Sequence, residues 1–276
     1  MTINATLKRL VISSPQVDRV AQFYVNTFGY RAEKRGDEIH CEGDQRSLWI
    51  RPGPANQLLE SHFVFSDEAS LGRYVARLQE MCVALDHGER AIGTAVGVTD
   101  PQGHRVFFAA EAGAEPTSAP RGEAQPSRLQ HYALRTPSPQ ALVDFYAQSL
   151  GFSISDLVRD EAGDLTAAFL RSDQYHHSLA IFRASESRFD HFSCETHDWH
   201  TLRDWADSVA KRGVRLAWGI GRHGPGNDTF FMVLDPDGNL AEISSDLETC
   251  ESDRPVGSWS HCMETLNQWG VAIMRS

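Results

Sequence analysis

Two histidines and a glutamate, His131, His191 and Glu242, occupy positions in short apolar runs from which one metal ion could be held. A 2-His-1-carboxylate set leaves three adjacent coordination positions open, the arrangement of non-haem Fe(II) centres that activate oxygen. Ligands of this kind belong on strands, because rigid elements hold them more closely than loops. His131 begins HYALR, where alternation puts His131, Ala133 and Arg135 on one face and Tyr132 and Leu134 on the other. His191 opens HFSCE and shares its face with Ser193 and Glu195. Glu242 interrupts the apolar run LAEIS, sharing a face with Leu240 and Ser244. A carboxylate buried there needs a cation or strong hydrogen bonds. Taken singly, Glu242 reads equally well as an edge-strand residue facing solvent, and a lone histidine is more often structural than ligating. The case rests on the three together. His197 and His200 also form an H-x-x-H, which reads as a solvated helix face.

The elements that must position these residues come from a chain that repeats itself. LVISSPQVDRVAQFYVNTFGYRAE near the start matches YALRTPSPQALVDFYAQSLGFSIS later, each giving a strand, a turn with Pro, an amphipathic helix and a Gly past its end. Aligning Phe23-Tyr24 with Phe145-Tyr146 sets an offset of 122 residues. Each half closes on Asp-Pro-x-Gly, at Asp100 and Asp235, a strong turn signal between two short strands. Between the halves, residues 111–128 are rich in Ala, Pro, Ser and Glu and read as a linker. The expected domains are 1–115, a linker at 116–128, and 129–276, with the second half catalytic. By these alignments His131 corresponds to Arg9, His191 to His62 and Glu242 to Phe107, a set that cannot form the triad, so the first half is expected to be metal-free. The fold class is α+β, with sheets that can curve around a cavity, and a length of 276 residues favours two domains with separate cores.

Composition narrows the partners. A formal net charge of −11 argues against nucleic acid and anionic membrane surfaces, both of which want clustered Lys and Arg. No apolar run reaches the length of a membrane span, and the N-terminus lacks the apolar core of a signal peptide. Five scattered cysteines without a C-x-x-C pair suggest reduced thiols in a cytoplasm.

Five segments in order, LQHYALRTPSPQALVDFYAQSLGF, YHHSLAIF, FDHFSCE, GRHGPGNDTFF and DPDGNLAEI, resemble the type I extradiol ring-cleaving dioxygenases of the vicinal oxygen chelate (glyoxalase/bleomycin resistance) superfamily. The tail WSHCMETLNQWG is similar as well. The resemblance implies two tandem domains, each of paired βαβββ modules forming a curved sheet around a cavity. It implies that His131, His191 and Glu242 hold Fe(II), with Mn(II) accepted by the same ligands. It places a histidine that contacts O₂ or hands on its proton at His177, and one that hydrogen-bonds a substrate oxygen at His223. Without it, His176-His177 would pass as an exposed pair and His223 as a loop residue. The implied reaction inserts both atoms of O₂ into a small aromatic diol, and a homo-oligomer is expected by analogy.

One position departs from the pattern. A Tyr often precedes the Asp-Pro-x-Gly aspartate by three residues, contacting the substrate oxygen, and here Met232 stands there. Met cannot donate that hydrogen bond. Tyr132 or Tyr175 would have to replace it, or the substrate is not an ordinary catechol. Phe230, Phe231 and Met232 are expected to shape the pocket and restrict water. Three rivals stay open: a hydroquinone-cleaving oxygenase, a glyoxalase-like isomerase or thiol transferase, and a non-catalytic protein that binds an aromatic ligand.

Overall fold

A computed structural model describes residues 2–89, 94–111 and 127–274, with the side chains of 87–89 and 94 left aside. Most of the expected linker, up to position 126, lies outside these residues. Its last two positions, Ser127 and Arg128, are corrected: they already pair with Thr196 and Glu195 in a sheet.

Each half is built from two βαβββ modules. The first contains β1 (Thr6–Ser14), α1 (Val17–Phe28), β2 (Arg31–Arg35), β3 (Glu38–Gly43) and β4 (Arg46–Pro52), then β5 (Gln57–Phe65), α2 (Glu68–Glu80), β6 (Asp86–Glu89), β7 (Thr94–Thr99) and β8 (Arg105–Ala110). The second contains β9 (Ser127–Thr136), α3 (Pro139–Asp144) continued by a π-helical turn at Phe145–Ser149, β10 (Ser153–Arg159), β11 (Leu165–Arg171) and β12 (Leu179–Arg183). It goes on through β13 (Arg188–Thr196), α4 (Trp199–Lys211), β14 (Leu216–Arg222), β15 (Thr229–Leu234) and β16 (Leu240–Ser245). A tail adds β17 (Gly257–Ser260) and the short α5 (Met263–Leu266). The sheets run β2-β3-β4-β1-β5-β8-β7-β6 and β14-β15-β16-β13-β9-β12-β11-β10-β17, the same order read in opposite directions, with β17 added at one edge.

Local signals account for much of this. Gly29 ends α1 in the left-handed conformation (φ 66°), which costs an amino acid without a Cβ nothing. Asp67 and Asp198 cap α2 and α4 by accepting the backbone N–H of Ser70 and Thr201, at 2.7 and 2.8 Å. No described helix is long and apolar enough to cross a membrane.

The expectation of separate cores is corrected. One buried cluster runs through both halves, because α1 lays Tyr24 and Phe28 against Phe192 of β13, with ring centroids 5.6 and 6.5 Å apart. The repeated Phe-Tyr and Asp-Pro motifs tie the halves reciprocally. Tyr24 donates to Asp235 at 3.0 Å and Tyr146 donates to Asp100 at 3.1 Å, each tyrosine reaching the closing turn of the other half. These aspartates also hold their own turns through backbone N–H groups. A residue that reads locally as a turn former is therefore also a link between the halves.

The second sheet has two buried faces. Tyr132, Phe192, Phe231 and Ile243 join the shared core. Ala133, Phe230 and Met232 point the other way, into a smaller apolar cluster over the cleft. Phe231 thus does not shape the pocket as expected, because period-2 alternation sends it to the face opposite Phe230 and Met232.

Candidate metal centre

His131, His191 and Glu242 sit on β9, β13 and β16, which are adjacent in the sheet. Ser193 pairs with both His131 and Glu242, so these two flank it in one row, and His191 lies one side-chain step along β13. The ligand atoms of the three lie within 4.8 Å of one another, and all three residues are buried. His131 Nε2 and His191 Nε2 are 3.0 Å apart, and His191 Nε2 is 3.9 Å from Glu242 Oε2.

The neighbours decide which nitrogens face inward. His131 donates from Nδ1 to Gln130 Oε1 at 2.8 Å, and Ser244 holds that oxygen from the far side at 3.0 Å. His191 Nδ1 lies 3.1 Å from Asp190 Oδ1, and Asp190 is fixed by Arg135 Nε at 2.7 Å. With both Nδ1 atoms committed as donors, each Nε2 presents a bare lone pair, the form a metal binds. Burial, then the surrounding imidazoles, hold His131 well below the ordinary histidine range, which keeps it neutral.

Glu242 is fully buried, and neither of its carboxylate oxygens has a hydrogen-bond partner. A carboxylate in that state is costly unless a cation lies against it. The donor set, two bare imidazole nitrogens and an unsatisfied carboxylate, fits a divalent metal ion.

His177 and His223 both reach the site. His177, in the turn between β11 and β12, is buried, its ring centroid 4.3 Å from that of His131. The exposed pair that the residues alone suggest is corrected, since the fold closes over His176 and His177 and leaves them 0% and 3% exposed. Burial, then His176 and the site histidines, lower the basicity of His177 well below the usual range. His223 follows β14, donates from Nδ1 to Leu266 O at 2.6 Å, and places Nε2 3.8 Å from Glu242 Oε2. Its ring stacks flat on Phe230 at 3.8 Å. Burial opposes its charging, but Glu242 and Asp228 outweigh it and raise its basicity. His197 and His200 are exposed on and just before α4, outside the site.

Asp228 escaped sequence reasoning. It forms a second close group with His223 and Glu242, its carboxylate oxygens have no hydrogen-bond partner, and burial pushes its carboxyl up to about 7. Nothing in GRHGPGND distinguishes it from a loop aspartate. Tyr132 and Tyr175 do not replace the missing tyrosine. Tyr132 turns into the core to meet Ser61 and Tyr146, and Tyr175 lies under Arg128 at a different surface.

A narrow cleft opens beside the triad, lined by Phe169, Phe182, Trp218 and Met232 as well as the four site histidines. The tail roofs it with Thr265 and Leu266, held down where Trp218 Nε1 donates to Val271 O at 2.8 Å. No Lys or Arg is among the described lining residues.

With this geometry, the chain matches the family model of the Glyoxalase/Bleomycin resistance protein/Dioxygenase superfamily over residues 6–108 and 128–243. It belongs to that superfamily. It is 36% identical over 150 residues to metapyrocatechase 2 of Cupriavidus necator, a match covering 54% of this chain and 46% of that protein. It is 28% identical over 239 residues to 3-methylcatechol 2,3-dioxygenase of Pseudomonas putida, covering 78% and 81%. The fold superposes on homoprotocatechuate 2,3-dioxygenase from Brevibacterium fuscum, bound to 3,4-dihydroxyphenylacetate, with TM-score 0.82 and 22% identity over 99% of this chain and 91% of that one. An Mn(II)-bound glyoxalase from Novosphingobium aromaticivorans gives the same TM-score at 19% identity, covering 100% and 93%.

Proposed function

We propose that this chain is an extradiol dioxygenase, cleaving a catechol-type ring beside its diol at a mononuclear Fe(II) held by His131, His191 and Glu242. The observation that carries this reading is the buried, donor-free Glu242 carboxylate facing two imidazoles whose Nδ1 atoms are already committed. The names of the relatives, which act on catechols, support it. Mn(II) fits the same ligands.

When bound, the ion supplies positive charge and open positions at which a diol and O₂ come together. The chain supplies the rest. His223, anchored through Nδ1, turns Nε2 toward the substrate side and hydrogen-bonds or takes the proton of a diol hydroxyl. His177, held neutral by burial, offers a nitrogen that takes and returns a proton on the oxygen side. Phe169, Phe182 and Trp218 seat the ring and exclude water. With no Lys or Arg among the described lining residues, the favoured diol lacks an acidic substituent. Both oxygen atoms end in a semialdehyde acid. The five cysteines are free, which fits a reducing cytoplasm.

The absence of a tyrosine hydroxyl at Met232 favours one second reading, cleavage of a hydroquinone. Anaerobic loading with Fe(II), followed by neutral catechols, carboxylated catechols or hydroquinones and then O₂, separates the readings. A yellow ring-fission product from neutral catechols that vanishes in His191→Ala is the expected outcome. Product from hydroquinones alone selects the second reading, and no O₂ uptake with any of them overturns both.

A further inference from the structure

His177 is one end of a buried chain whose other members, His176 and Asp156, the proposed chemistry does not use. His177 Nδ1 lies 3.0 Å from His176 Nδ1, and the two rings stand at 90°. His176 Nε2 lies 3.0 Å from Asp156 Oδ2. All three residues are inaccessible or nearly so, at 3%, 0% and 0% exposure. Asp156 is held from three sides: Trp259 Nε1 donates to its Oδ2 at 2.8 Å, Arg254 lies 3.1 Å from its Oδ1, and the backbone of Gly257 presses against it. A Cβ at Gly257 would come within 2.1 Å of Asp156 Oδ1, so β17 needs glycine to approach this closely.

These contacts fix a direction. A carboxylate oxygen 3.0 Å from His176 Nε2 favours a proton on that nitrogen by charge, although the pair is not aligned as a hydrogen bond. A neutral His176 then has a bare Nδ1, which accepts from Nδ1–H of His177. His177 is left with a bare Nε2, and Nε2 is the nitrogen opposite the chain, on the cleft side. The carboxylate is well suited to dictate this, since His176, Trp259 and Arg254 hold its acidity below the usual range although burial opposes them.

The geometry points to Asp156 and His176 as positioning residues that set the tautomer of His177, with the C-terminal tail clamping Asp156 in place. The inference rests on the proposed dioxygenase role of His177 for its effect on turnover, but not for the tautomer itself. Around His176 the charged and titratable groups are Asp156 from β10, Arg254 with its partner Glu248 from the segment before β17, and His177; His177 in turn faces His131, His191 and His223.

Asp156→Asn is the decisive variant. The neutral amide can no longer serve His176, Trp259 and Arg254 together as the carboxylate does, so the proton on His176 Nε2 is released and Nε2 of His177 becomes protonated. The expected result is a fall in kcat on the order of 10²–10⁴-fold with KM little changed and metal content unchanged. Trp259→Phe, which keeps an aromatic ring but loses the Nε1 donor, falls less. ¹⁵N spectra of histidine-labelled metal-free protein read the tautomer directly: His177 protonated on Nδ1 in the wild type, on Nε2 in Asp156→Asn. Wild-type protein with His177 protonated on Nε2 overturns the proposal, and so does an Asp156→Asn variant with unchanged tautomer and kcat. If the wild type consumes no O₂, the dioxygenase reading fails while the spectra still decide the tautomer. If Asp156→Asn fails to fold, the wild-type spectrum alone decides between the two tautomers.

Discussion

The same three sheet positions carry opposite solutions in the two halves. In the second sheet they hold His131, His191 and Glu242, with a carboxylate that no protein donor satisfies. In the first sheet the strand registers place Arg9 opposite His62, Val11 opposite Glu60 and His62 opposite Phe107. Compared with Ala133 opposite His191 and Ser193 opposite Glu242, this makes Glu60, not His62, the counterpart of His191. The helix caps agree, since Asp67 follows Glu60 by seven residues and Asp198 follows His191 by seven. The expected match of HFVFS with HFSCE is therefore corrected by two residues. In the first half the charge is consumed internally: Glu60 lies 2.9 Å from Arg51 and 3.0 Å from His62, whose ring stacks on Phe107. Arg9 lies over Trp49 at 3.7 Å. One scaffold thus ends either in a carboxylate neutralised by arginine or in one left for an ion.

The largest test of that contrast imports the first half's residue into the second. Glu242→Phe is expected to abolish stoichiometric metal and to cut turnover by more than the roughly 100-fold that losing an outer partner costs. Retained metal by elemental analysis would break the comparison. Asp190→Asn, which leaves the ligands in place and weakens the hold on His191, is expected to lower metal affinity by about 10- to 100-fold in a competitive chelator titration. Acid titration sharpens the other side. The Arg51 and His62 contacts overcome burial and bring Glu60 down from the usual 4.5 to about 2, so its stabilising contribution is present above pH 4.5 and lost as pH falls toward 2. Glu60→Gln should flatten the pH dependence of the urea midpoint in that window, while leaving O₂ uptake at neutral pH unchanged. Met232→Leu is the smallest change, a nearly volume-conserving swap costing less than about 1.5 kcal/mol by denaturant melts. A large loss of activity there would show that the thioether contributes more than bulk.

Much of this was legible in the residues. Glycine and aspartate punctuation marked the duplication, because turn and cap chemistry is local. The grouping of His131, His191 and Glu242 was legible only from the three together and from the family resemblance, since Glu242 alone reads equally well as an edge residue facing solvent. What escaped depends on distance along the chain. The register between β1 and β5 follows bulges that no motif displays. The reciprocal Tyr–Asp links, the burial of His176 and its contact with Asp156 are all tertiary facts. Residue types near the triad, Gln130 and Asp190, are adjacent in sequence to its histidines, yet their role appears only because each sits at a register shift between β9 and β13.

The shared core has a consequence for synthesis. Tyr24 and Phe28 leave the ribosome well before Phe192, the residue that covers them, has been made. At about 5–20 residues per second that interval is roughly ten to thirty seconds. During it the nascent first half carries an uncovered aromatic face, and a chain truncated between residues 111 and 127 would carry it permanently. The same contact works in reverse: trimming away the first half would uncover Phe192 on the second.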